Sequence, residues 1–187
     1  MAMICVKIPT DFSKVLSKIE VPGTKEPLDD IHITLLYLDK NVDFEILQKC
    51  NKALNEVTQN LEPFSITIKK VSTFPEGEDG IPIIIPIESK ELKKLNMDLK
   101  KEFDKNDIEY SKKWKEFKPH ITLSYSKDKM KDFKIPELSF TVSEIMLWGG
   151  DSGKQKMTTI FPLSIEAGFK HLGLLKSAQM FNCECYN

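Results

Sequence analysis

The sequence predicts a mixed fold of strands and helices, arranged as two lobes that face one cleft. Two observations carry this prediction. The spelling His32-Ile33-Thr34-Leu35 returns as His120-Ile121-Thr122-Leu123, once in each half of the chain. Around each copy the same order recurs, a strand, a helix and then the histidine strand, as in a degenerate internal duplication. Two such lobes side by side bring both motif strands to a shared cleft. The length of 187 residues suits one large domain or two small lobes over a common core.

In order, residues 3–8 alternate Ile4, Val6 and Ile8, a first strand. Thr10 or Asp11 can cap a helix carrying Phe12, Val15, Leu16 and Ile19. Residues 21–30 read as a loop, broken by Pro22-Gly23 and Pro27. The first histidine strand spans 31–38. A helix over 41–60 places Phe44, Leu47, Ala53 or Leu54, and Val57 at helical period, with Asp43 and Glu45 at the positive end of its dipole. Residues 64–71 alternate as a half-buried strand, and 74–80 form an acidic loop. Residues 81–87 read as a core or an edge strand, with edge preferred because Pro82 and Pro86 cannot donate to a ladder.

Ser89 caps the strongest helix, whose stripe is Leu92, Leu95, Leu99 and Phe103. Asn106 and Asp107 end it, and 110–118 is a polar, aromatic surface loop. The second histidine strand spans 119–125. Residues 127–136 read as a charged loop or short helical turn, 138–148 as one strand, 149–153 as a hairpin turn and 157–163 as the returning strand. Beyond 165 the pattern weakens into a C-terminal tail, which leaves 1–164 as the domain.

Composition narrows the function. The net charge is -1, from 27 basic and 28 acidic residues, so no strong field for long duplex nucleic acid is expected. Cys5, Cys50, Cys183 and Cys185 have no framework spacing, which suits a reducing compartment. With no secretory signal and no run of ~20 apolar residues, a cytoplasmic protein without membrane association is expected. The oligomeric state is not specified.

In a strand, residues i and i+2 share a face, so His32 sits beside Thr34 and His120 beside Thr122. Ile33, Leu35, Ile121 and Leu123 point to the core. Histidine titrates near neutrality, so a pair can hold one neutral base and one charged acid at once. That division of labour suits phosphodiester cleavage. One imidazole takes the proton of the attacking oxygen and the other protonates the departing one. A neighbouring threonine hydroxyl can donate to a phosphoryl oxygen. No metal or other cofactor is needed.

These stretches resemble the two His-x-Thr signatures of the 2H phosphoesterase superfamily, which includes bacterial RNA 2',3'-cyclic phosphodiesterases once called 2'-5' RNA ligases. Phe117-Lys118-Pro119-His120-Ile121-Thr122-Leu123 matches the second signature, with its Phe-x-Pro lead-in, and the segment from Asp30 to Leu38 matches the first. The opening strand, Phe74 ahead of the strand at 81–87, and the leucine-rich helix fit as well. The resemblance covers about residues 3–164. It implies an α+β, bilobal 2H phosphoesterase fold with antiparallel sheets lining a central cleft. It also implies His32 and His120 as the acid–base pair, with Thr34 and Thr122 holding the phosphate. Ser124 departs from it, standing where many members place arginine.

The implied substrate is a small nucleotide phosphodiester: a 2',3'-cyclic phosphate, a 2'-5' linkage, an RNA end or a cyclic oligonucleotide. Within the superfamily, the compact size and Trp148 fit phage nucleases that destroy cyclic oligonucleotide immune signals, though neither feature discriminates them from other members. Trp148, before Gly149-Gly150, is a candidate base-stacking platform, with Tyr37, Tyr125 and Trp114 as alternatives. Residues 149–154 lack Walker spacing, and His171 with Cys183 and Cys185 is too sparse for a metal site. The lysines at 112–113 and 127–134 read as solvated faces or as a basic cleft mouth. Two other functional classes compete: a non-catalytic module that sequesters a nucleotide, and a virion- or scaffold-associated domain.

Overall fold

Alternating apolar residues build two antiparallel sheets in the computed structural model, which describes residues 2–38, 42–149 and 158–163. In chain order the strands are β1 (Ala2–Lys7), β2 (Thr24–Lys25), β3 (His32–Tyr37), β4 (Phe64–Thr73), β5 (Ile81–Pro86), β6 (His120–Ser126), β7 (Phe133–Val142), β8 (Glu144–Gly149) and β9 (Thr158–Pro162). The helices are α1 (Thr10–Leu16), α2 (Phe44–Thr58) and α3 (Lys90–Lys105). Among the described residues, one sheet has the order β3-β1-β8-β9 and the other β2-β6-β5-β4-β7. The fold is α+β and two-lobed, as expected. One histidine strand lies in each sheet.

The helices cover the sheets with the faces their periodicity supplies. Asp43 caps α2 by accepting from the Ile46 N–H at 2.9 Å, and Ser89 caps α3 by accepting from the Leu92 N–H at 3.1 Å. Leu92, Leu95, Leu99 and Phe103 of α3 are fully buried. Burying each such side chain is worth about 1.5–3 kcal/mol. They join Leu47, Cys50, Ala53 and Leu54 of α2 in one core with Ile4, Ile33, Ile66, Ile85 and Ile121 of the sheets. Of the two, α3 braces β3 from behind, while α2 packs against α3, β8 and β9.

Several expectations need correction. β5 is an interior strand, between β6 and β4. Its prolines are tolerated because its ladder with β4 is short, holding only Ser72↔Ile84 and Thr73↔Ile83. At the end of that ladder the Pro82 carbonyl accepts from the Phe74 N–H at 3.0 Å. The nitrogen of Pro82 faces the same side, where no further strand pairing is required of it. The stretch 138–148 is two strands rather than one. It breaks at Ser143, with β7 pairing β4 and β8 pairing β1. β7 also begins at Phe133, inside the predicted loop.

Thr10 and Asp11 lie within α1, whose N-cap is Pro9, with no side-chain cap. Phe44 is 70% exposed and not part of the α2 core stripe. The loop at 21–30 contains β2, which pairs with β6. The lobes do not follow the halves of the chain, since β4 joins the later strands and β8 and β9 return to β1. The tip of the hairpin after Gly149 and the tail after 164 lie outside the described residues.

Candidate active site

The two histidine strands carry the same irregularity. Along β1 and β3 the register runs Ile4↔Leu36 and then Cys5↔Thr34, so Leu35 has no cross-strand partner. Along β5 and β6 it runs Ile83↔Ser124 and then Ile84↔Thr122, so Leu123 has none in that ladder. Each is a β-bulge one residue after the threonine. A bulge shifts the two-residue alternation by one. The residue three beyond each threonine therefore turns to the threonine's own face. Thr34 Oγ1 lies 3.4 Å from the Tyr37 hydroxyl, and Thr122 hydrogen-bonds the Tyr125 hydroxyl. The repeated unit is thus His-Ile-Thr-Leu-x-Tyr, two residues longer than the four-residue spelling.

A bulge leaves its carbonyl outside the ladder, and both are satisfied from elsewhere. Asn96 Nδ2 on α3 donates to the Leu35 carbonyl at 2.7 Å, and the Glu26 N–H donates to the Leu123 carbonyl at 2.9 Å. The second contact holds β2 against β6. Gly23 makes that approach feasible: it has φ +89, and a Cβ there would stand 2.0 Å from the Tyr125 carbonyl oxygen.

The imidazoles are fixed in matching ways. His32 Nδ1 lies 2.6 Å from the Asp30 carbonyl, and His120 Nδ1 lies 2.7 Å from the Lys118 carbonyl. A carbonyl only accepts, so each Nδ1 carries a proton. In the neutral ring, Nε2 is then the free base. His32 Nε2 lies 3.0 Å from Thr34 Oγ1. Each ring also meets an aromatic edge. Trp148 stands 5.3 Å from His32 and Phe74 stands 4.6 Å from His120, between ring centroids.

His32, Thr34, Tyr37, His120, Thr122 and Tyr125 line one small pocket of about 100 Å3. Glu26, Asp30, Phe74 and Pro82 complete its wall. Burial pushes His120 below the usual histidine range, and positive charge on His32 adds to this, while the Lys118 carbonyl opposes it. Burial also raises the Glu26 carboxyl, with Asp30 and Asp79 adding to the shift. Tyr125 is raised as well, first by burial and then by Glu26, Tyr37 and Asp79. Its hydroxyl keeps its proton and can donate it in a hydrogen bond. Tyr37 and Tyr125 thus stand beside the histidines, whereas Trp148 backs His32 without forming part of the pocket wall.

Of the other pocket residues, Asp30 is visible beside the first motif and Phe74 as the residue ahead of the strand at 81–87. Glu26 had no sequence signal, because only the β2–β6 pairing brings it in. Ser124 is fully buried on the opposite face, where its Oγ donates to the Pro22 carbonyl at 2.7 Å. Cys5, the cross-strand partner of Thr34 on β1, is buried and its thiol is pushed up to about 12, which leaves it inert. Among the described residues no group of three or more His, Cys, Asp or Glu side chains could hold a metal ion. No helix among them is long and apolar enough to cross a membrane. His171, Cys183 and Cys185 lie outside the described residues.

Solved structures share this two-lobed arrangement. TT0787 of Thermus thermophilus matches with a TM-score of 0.67 at 21% identity, over 86% of this chain and 94% of that one. E. coli LigT complexed with 3'-AMP matches with a TM-score of 0.65 at 17% identity, over 87% and 97%. The MHV ns2 PDE domain matches with a TM-score of 0.55 at 13% identity, over 78% and 95%. These likenesses define the class of fold. The family model of the 2'-5' RNA ligase superfamily matches residues 24–154, and the chain belongs to that superfamily, the 2H phosphoesterases. Membership supports an activity of phosphodiesterase or ligase type. No curated protein matches the sequence significantly.

Proposed function

We propose that the chain is a metal-independent phosphodiesterase that hydrolyses a nucleotide phosphodiester: a 2',3'-cyclic phosphate, a 2'-5' linkage or a cyclic oligonucleotide. The observation that carries this reading is the pair of imidazoles in one pocket, each with Nδ1 engaged by the carbonyl two residues before it. His120, held toward its neutral form, is the general base. Its Nε2 takes a proton from water as the water oxygen bonds to phosphorus. His32 is the general acid. Its Nε2 proton passes to the departing ribose oxygen as that P–O bond breaks. Thr34, Thr122, Tyr37 and Tyr125 donate to the phosphoryl oxygens, whose charge grows in the transition state. The 3'-AMP, ATP and NADP+ complexes of LigT support a nucleotide as the ligand class.

The test is a panel of cyclic dinucleotides, 2',3'-cyclic nucleotides and 2'-5'-linked dinucleotides, incubated with the protein and resolved by chromatography. His32→Ala and His120→Ala should each lower turnover by about 10²–10⁴-fold while circular dichroism stays native. EDTA should leave the rate unchanged. Full activity in either variant would sink the mechanism. Ligands that bind and stay intact would instead favour a sequestering module.

A further inference from the structure

The pocket between the histidines takes a phosphate and little else. Its volume of about 100 Å3 is well short of the roughly 300–1,000 Å3 that sites for larger organic ligands provide. Tyr37, however, also lines a second and open groove of about 820 Å3, formed by the loop between α3 and β6. The loop is tied to the end of β3 by a bridge between Leu38 and Tyr110 and by the Ser111 N–H, which donates to the Tyr37 carbonyl at 2.9 Å. The groove is therefore held in fixed relation to the pocket.

Its surface has the chemistry of a base platform. Trp114 is 55% exposed, and its ring centroid lies 5.2 Å from that of Tyr37. The Lys113 ammonium lies 5.3 Å above the Trp114 ring, and that of Lys112 lies 5.6 Å above Tyr110. Glu78, Asp104, Asp107 and Glu109 also line the groove. These acids outnumber the two lysines, so a polyphosphate or a long backbone fits poorly. A stacked base with amino and hydroxyl donors, followed by one phosphate, fits well.

We propose that this groove is the subsite for the nucleoside one linkage away from the scissile phosphodiester, so that the substrate contains at least two nucleotides. The proposal rests on the phosphodiesterase reading for its placement beside the scissile group. The base stacks on Trp114 and takes the place of the Lys113 ammonium, which turns to the flanking phosphate. Asp107 and Glu109 accept from the base amino group or the ribose hydroxyls. Every π-face stacks, so the subsite selects for length more than for base identity.

The test compares adenosine 2',3'-cyclic phosphate with a diadenosine dinucleotide ending in the same cyclic phosphate. Both are bound to the full-length His32→Ala chain by equilibrium dialysis. The dinucleotide should bind about tenfold tighter or more, and Trp114→Ala should collapse that preference, while Trp114→Phe should restore most of it. Hydrolysis of both ligands by the unmodified chain is followed in parallel. Failure to cleave these two ligands or any member of the panel above sinks the phosphodiesterase reading, while the binding ratio still judges the groove. Equal affinity for the two ligands, no binding of either, or an unchanged ratio in Trp114→Ala would overturn the subsite.

Discussion

Protonating His120 costs more than protonating a histidine in water, because burial strips the cation of solvent and a charged His32 opposes it. The acid limb of kcat/KM should then fall below the ordinary histidine value of about 6.5. Phe74 provides part of the shelter, with its ring 4.6 Å from that of His120. Phe74→Ala should admit water and move that limb to higher pH, and a limb that stays in place would refute the assignment of His120 as base. Stability carries the same sign. The unfolded chain binds the His120 proton first as pH falls, so the stabilising contribution is complete above the unfolded value and is lost as pH drops through the folded one. The histidines and threonines were legible because two-residue alternation is the simplest rule of a strand. The roles of Tyr37 and Tyr125 were half legible. Their identity was visible, but their alignment with Thr34 and Thr122 depends on a bulge that alternation does not foresee.

The bulges are held in place from outside their own strands, and this makes them testable. Asn96 on α3 reaches the Leu35 carbonyl at 2.7 Å and is itself buried. Asn96→Leu should leave that carbonyl unpaired at a cost of about 1–3 kcal/mol. It should also lower turnover, since Tyr37 loses its alignment with Thr34. Urea unfolding and steady-state kinetics read the two effects, and an unchanged midpoint would refute the bracing role. A polar residue at that point of a leucine-rich helix gave no hint of its partner, because the partner is a backbone atom 61 positions away. The prolines of β5 misled for a related reason. Proline argues for an edge only where a full ladder must form, and the ladder to β4 ends beside Pro82. The helix α3 was read well because its cap and stripe are local properties, whereas in α2 the periodicity placed the helix but wrongly put Phe44 in its stripe.

Across the whole molecule, each sheet draws strands from both ends of the sequence. β1 pairs with β8, and β4 pairs with β7. The duplication visible around the motifs therefore does not mark two separable units. A fragment ending in the loop at 74–80 should be unfolded by circular dichroism, and the full chain should unfold in one cooperative transition. A folded fragment would contradict the exchange of strands. Long-range pairings of this kind escape a reading built on local periodicity, which is why the two-lobed class was legible and the strand order was not. The twin bulges have one further consequence. They give the pocket an approximate dyad, with a His-Thr-Tyr set on either side. A phosphodiester, with an ester oxygen on each flank of its phosphorus, meets nearly the same donors when turned end for end. The polarity of cleavage must then be written in what breaks the dyad: Trp148 against Phe74, the carboxylates around Glu26, and the groove that opens on the Tyr37 side.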